Sequence, residues 1–74
     1  MPPSGDDYKV KAVKSAINRV GDYMKYVSVH LEHDPAEMVC YKISAELPET
    51  VINKLSSAIE KEGNKLGIHV VQLS

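Results

Sequence analysis

The stretch that decides the fold is Tyr23–Leu47, YMKYVSVHLEHDPAEMVCYKISAEL. Apolar and polar residues alternate along most of it, with a break at Asp34-Pro35-Ala36-Glu37. A period of two is the mark of a strand with one face buried. Tyr23–His33 is therefore predicted as one strand and Met38–Leu47 as the next, joined by a tight turn at Asp34–Glu37. On the first strand Val27, Val29 and Leu31 share a face, against Tyr26, Ser28, His30 and Glu32. On the second, Val39, Tyr41, Ile43, Ala45 and Leu47 oppose Cys40, Lys42, Ser44 and Glu46. Matching the apolar faces brings Leu31 near Val39 or Tyr41. A slip of one residue would bury Lys42 and Glu46, so the register is strongly specified.

Two helices flank this hairpin. Val10, Val13, Ile17 and Val20 recur at helical spacing, which predicts a helix over Asp6–Val20. Asp6 and Asp7 suit its positive end, and Gly21 suits the position just past its last turn. After the hairpin, Pro48 is expected at the first helical position, with Glu49 in the first turn. Val51, Ile52, Leu55, Ala58, Ile59 and Glu62 form one stripe, apolar except at its last member. The helix stops either at Gly63 or at Leu66 with Gly67 behind it. A glycine inside a helix costs roughly 1 kcal/mol against alanine. Ile68–Leu73 is rich in β-branched residues and is predicted as a terminal strand.

The expected order is α-β-β-α-β, an α+β domain. Two helices cover one face of a three-stranded, mainly antiparallel sheet. The third strand has two possible places, parallel beside the second or antiparallel beside the first. The latter, order 2-1-3, is the architecture of a ferredoxin-like plait lacking its first strand, a likeness of form that carries no function. Residues 1–5, MPPSG, read as a disordered tail, and residues 6–74 as a single domain.

Bulk properties bound the function. A chain of 74 residues holds one core and buries a smaller fraction of its surface than larger domains do. Small domains often gain stability from disulfides, metals or a partner subunit. Cys40 is the sole cysteine, so no disulfide forms within one chain. A homodimer is the expected remedy. Nine basic and ten acidic side chains give a net charge of −1, which disfavours a protein that holds nucleic acid mainly by releasing counterions. The lone cysteine and the lack of a long apolar segment point to a cytoplasmic protein without a membrane span.

Three constellations carry possible chemistry. His30, Glu32, His33 and Asp34 are metal-ligand types within five residues, but on a strand His30 and His33 point to opposite faces. His69 joins His30 only if the third strand lies beside the first. A polar sheet face with a turn residue explains the cluster equally, and no metal or cofactor is expected. Cys40 faces the side of His30 and so has a base within reach, yet no nucleophile motif accompanies it. No catalytic residue is assigned, and no enzyme activity is expected. Lys9, Lys11, Lys14, Arg19 and Lys25 supply a basic run with Asp22 as its only acid. It is a candidate nucleic-acid-binding surface, or simply a solvated helix exterior.

The most suggestive surface is the polar sheet face. Tyr26, Ser28, His30, Glu32, Cys40 and Lys42 are the candidate partner-binding residues, with Ser44, His69, Val71 and Leu73 as neighbours. Both helices are needed on the opposite side, so this face is either wet or covered by another molecule. The sequence thus points to a small interaction or regulatory protein with a protein partner. Nucleic-acid binding by the first helix is the second reading.

Overall fold

The computed structural model describes residues 7–33 and 36–73. The tail expected at residues 1–5, Asp6, and the turn residues Asp34 and Pro35 lie outside these. The elements are α1 (Asp7–Val20), β1 (Val27–Glu32), β2 (Met38–Ile43), α2 (Glu49–Leu66) and β3 (Val70–Gln72). This is the α+β arrangement expected from the alternation and the two helical stripes.

The hairpin register follows the apolar pattern. β1 and β2 pair antiparallel with Val27 opposite Ile43, Val29 opposite Tyr41 and Leu31 opposite Val39. Val27, Val39 and Tyr41 are buried, whereas Ser28, His30, Glu32 and Lys42 stand exposed. On the helical side Val13 and Ile17 of α1 meet Leu55 and Ile59 of α2 in the same cluster. Burying each such aliphatic side chain contributes about 1.5–3 kcal/mol. Val10 and Val20 extend the α1 stripe and are half-buried.

Both strands are shorter than their alternation. Met24–Tyr26 forms a single 3₁₀ turn, with the Tyr26 N–H donating to the Tyr23 carbonyl at 2.9 Å. The chain leaves α1 and must reverse within a few residues, so Tyr23–Tyr26 bends and extended backbone starts at Val27. At the other end the Ser44 hydroxyl accepts from the Glu46 N–H at 3.2 Å, and the Ser44 carbonyl accepts from Leu47. This local turn competes with the sheet ladder and wins. Ala45 is therefore exposed instead of facing the core, while Leu47 still packs against it. Pro48 sits one place earlier than expected, as the N-cap, with φ −58° and ψ 146°. Its carbonyl accepts from Val51 and Ile52 at 3.0 Å each.

The third strand takes the parallel place. The sheet order is β1-β2-β3, with Val39 beside Val70, Cys40 beside Val71 and Tyr41 beside Gln72. It is not 2-1-3. Either place suits the direction of the returning chain, because α2 runs back along the sheet for about 27 Å. The helices decide between them. α1 packs over β1, and α2, which delivers β3, packs over the other side. β2 thus becomes the central strand, and β1 and β3 are the edges.

Gly63 and Gly67 make that return possible. The helix continues past Gly63 to Leu66, and Gly67 ends it at φ 69°, a left-handed conformation that glycine adopts without strain. The Gly63 carbonyl accepts from the N–H groups of both Gly67 and Ile68. A Cβ on Gly63 would stand 3.0 Å from the Ile68 carbonyl oxygen and 3.1 Å from a Val70 methyl. β3 therefore lies against bare helix backbone. Gly63→Ala should destabilise the fold by about 1–3 kcal/mol despite its better helix propensity, through overpacking. Gly67→Ala should cost about 1 kcal/mol from the left-handed backbone. Urea denaturation checks both. A Gly63→Ala protein as stable as the parent would show that β3 is not packed so closely.

Candidate functional site: the open sheet face

The face of the sheet turned away from the helices carries a grid of side chains set by the register. Glu32 lies opposite Met38, His30 opposite Cys40 and Ser28 opposite Lys42. Cys40 adjoins Val71 on β3, and parity along β3 places His69 and Leu73 on the same side. The result is an apolar strip of Met38, Cys40, Val71 and Leu73 running from the central strand to the β3 edge, with Ser28, His30 and Glu32 along β1 and Lys42 and His69 beside it. Leu73 is 40% exposed. Among the described residues no element covers this face.

The predicted partner-binding set is thus largely brought together. Ser28, His30, Glu32 and Lys42 are exposed side by side. His30 Nε2 lies 3.2 Å from Glu32 Oε1, a pair at alternate positions of one strand. Both side chains are half in water, so the pair orders the two groups more than it stabilises the fold. Tyr26 belongs to the 3₁₀ turn, although its carbonyl accepts from the Ser44 N–H at 2.8 Å and extends the ladder by one step. Lys25 Nζ stands 5.3 Å from the Tyr26 ring centre, a cation–π contact.

Cys40 differs from the others in being only 4% exposed, although it faces the open side. His30 and Val71 flank it across the sheet, and Met38 and Lys42 flank it along the strand. His30 is its register partner, one of the two neighbours the sequence pattern allowed. The thiol is nevertheless closed to a substrate. Ellman's reagent should react with the native protein only slowly, at a rate set by opening of the sheet, and at once in denaturant. Rapid native-state modification would show an accessible sulfur.

His69 does not join His30. β2 runs between β1 and β3, so the two imidazoles sit on opposite edges of the sheet. Among the described residues no group of three metal-ligating side chains converges.

The five cations of the basic run are also separated. Lys9 pairs with Glu37, and Arg19 with Glu62 at 3.1 Å. Lys11, Lys14 and Arg19 are exposed on α1, Arg19 with its guanidinium turned to Glu62. The Arg19 pair explains the one acidic member of the α2 stripe: Glu62 is drawn to the seam between the helices, where its side chain is only 14% exposed. Ala16, Arg19, Val20, Ala58, Lys61, Glu62 and Lys65 line a groove of about 290 Å³ along that seam. The sequence reading missed it. Its signal was the placement of Ala58, Lys61, Glu62 and Lys65 along one side of α2.

Beneath the sheet, Tyr41 is fully buried, with its hydroxyl 3.1 Å from Ser56 Oγ and 3.5 Å from Gln72 Oε1. Ser56 Oγ donates to Gln72 Oε1 at 2.8 Å, closing a small network between β2, α2 and β3. Desolvation raises the Tyr41 pKa above its ordinary 10.0, helped by the Glu60 charge and opposed by the Ser56 hydrogen bond. The folded state thus holds this proton more tightly than the unfolded chain. Its contribution is present below about pH 10 and is lost as pH rises through the higher folded value. Tyr41→Phe should cost about 1 kcal/mol at neutral pH and remove that alkaline loss. Thermal melts across pH 7–11 check it; an unchanged alkaline slope would place the loss elsewhere.

Compared with family models, with curated proteins and with solved structures, the chain matches none. Among the described residues no helix is long and apolar enough to cross a membrane.

Proposed function

We propose that this is a small, non-enzymatic interaction protein of the cytoplasm, homodimeric, whose open sheet face docks on a protein partner as a regulator or inhibitor. The observation that carries this reading is the pattern of that face. An apolar strip from the central strand to the β3 edge, bordered by polar and ionisable groups on β1 and at its ends, is the composition of an interface, with apolar contacts beside hydrogen-bonding groups. The apolar residues of the hairpin are already spent on the opposite side against α1 and α2. What remains on the open side is not needed to close the core.

Other features agree. The candidate nucleophile is buried, and the histidines are kept apart by the central strand. The cations that would meet phosphates on α1 are partly taken up by Glu37 and Glu62. Nucleic-acid binding through Lys11 and Lys14 remains the second reading, supported only by their outward position on α1.

Substitution at exposed positions separates the two readings without harming the core. His30→Lys combined with Leu73→Lys should abolish capture of a protein partner from lysate, with an unchanged circular dichroism spectrum. Lys11→Glu with Lys14→Glu should leave that capture intact. The reverse outcome, with binding to DNA or RNA that weakens steeply as salt rises, would replace the protein-docking reading with the nucleic-acid one.

A further inference from the structure

We infer that β1 is the dimer edge, and that a second copy of this chain adds its own β1 antiparallel to it, centred on Val29 opposite Val29, to make a continuous six-stranded sheet. This deepens the homodimer part of the proposed function and rests on it.

The argument begins with the backbone. In an antiparallel pair, directly opposed residues alternate between those that exchange hydrogen bonds and those that do not. Ser44 donates to the Tyr26 carbonyl at 2.8 Å, which fixes the phase. Ser28, His30 and Glu32 then bond inward to β2. The N–H and C=O groups of Val29 and Leu31 and the C=O of Val27 point outward, while the Val27 N–H donates to the Met24 carbonyl. The far side of β2 agrees with this phase: the Val39 N–H donates to the His69 carbonyl and the Tyr41 carbonyl accepts from Leu73, so both are spent on β3. Among the described residues no strand pairs with the outer edge of β1.

This edge lacks the usual protection. Natural edge strands are blunted by proline, lysine, bulges or very short length. β1 has six residues, Val-Ser-Val-His-Leu-Glu, in unbroken register with β2, without proline, lysine or glycine. The other edge, β3, has three residues. A second copy is the occupant whose geometry the chain itself fixes. With Val29 at the two-fold axis, Val27 opposes the partner subunit's Leu31, and every outward N–H finds an acceptor; the Leu31 carbonyl alone faces an N–H already bonded to Met24. Centring on Val27 or Leu31 would leave more of the outward groups unpaired.

Side chains agree on both faces. Toward the helices, half-buried Val29 and Leu31 lose their remaining exposure against the partner's Val29 and the partner's Val27. On the open face, Glu32 comes opposite the partner's Tyr26, whose ring lies beside the partner's Lys25. A carboxylate therefore meets an ammonium on each side of the axis. The grid of His30 and Cys40 is doubled into one larger face, which is the surface assigned to the partner.

Analytical ultracentrifugation of the wild-type protein and three variants tests this. Val29→Pro removes an N–H that the monomer does not use. It should raise the dimer dissociation constant at least ~10-fold with helix content retained. If that variant unfolds, the charge series decides. Lys25→Glu should weaken the dimer about fivefold, and so should Glu32→Lys, while the double exchange should restore it. A monomeric wild-type protein would overturn both this proposal and the homodimer reading. A dimer indifferent to the charge exchanges would overturn the β1 edge while leaving dimerisation standing.

Discussion

The structure depends on the two-sided hydrogen bonding of β2. Its Cys40 row bonds to β1 and its Val39 and Tyr41 groups bond to β3, so both edges of the strand are occupied. That arrangement holds Val39 and Tyr41 beneath both helices with no exposure to water. It also places the polar residues of the hairpin together on the far side. Shifting this strand by one residue would bury Lys42 and expose Tyr41, which no local adjustment could offset.

Much of this was legible in the residues. Alternation from Val27 to Ile43 gave the hairpin and the buried Val27, Val39 and Tyr41, though Val29, Leu31 and Ile43 are only half-buried and Cys40 of the polar face is buried. Helical spacing gave both helices, with the end of α2 left open between Gly63 and Leu66 and found at Leu66. The strand limits were harder to read. Tyr23–Tyr26 and Ser44–Leu47 alternate as well, but a reversal after α1 and a serine turn before Pro48 overrule that pattern. Strand order was not legible, since either place for β3 satisfies its apolar residues. The deciding factor is the division of the roof between α1 and α2. Gly63 is the one trace of it in the sequence, a costly residue for a helix interior unless another backbone must approach.

The site was legible as a set of residues more than as a surface. The face of Ser28, His30, Glu32 and Lys42 followed directly from parity. Val71 and Leu73 were also expected as its neighbours, but their place beside Cys40 and Lys42 was not legible, because it depends on β3 lying against β2. Pairing of the basic residues was hidden for a similar reason. Lys9 meets Glu37, and Arg19 meets Glu62, across separations that no local pattern reports.

The parallel contact between β2 and β3 has a kinetic consequence. The hairpin joins neighbours in the chain, whereas β3 reaches β2 only after the whole of α2 has been laid down. Closing that long loop costs entropy before any contact repays it. The β1–β2 hairpin, whose partners are nearest in the chain, therefore closes at the lowest cost. If β3 docks after the transition state, damage at the Gly63–Val70 contact falls mainly on the escape rate from the native state and leaves the rate of reaching it nearly unchanged. The last strand acts as a latch, and its fit governs how long each molecule stays folded.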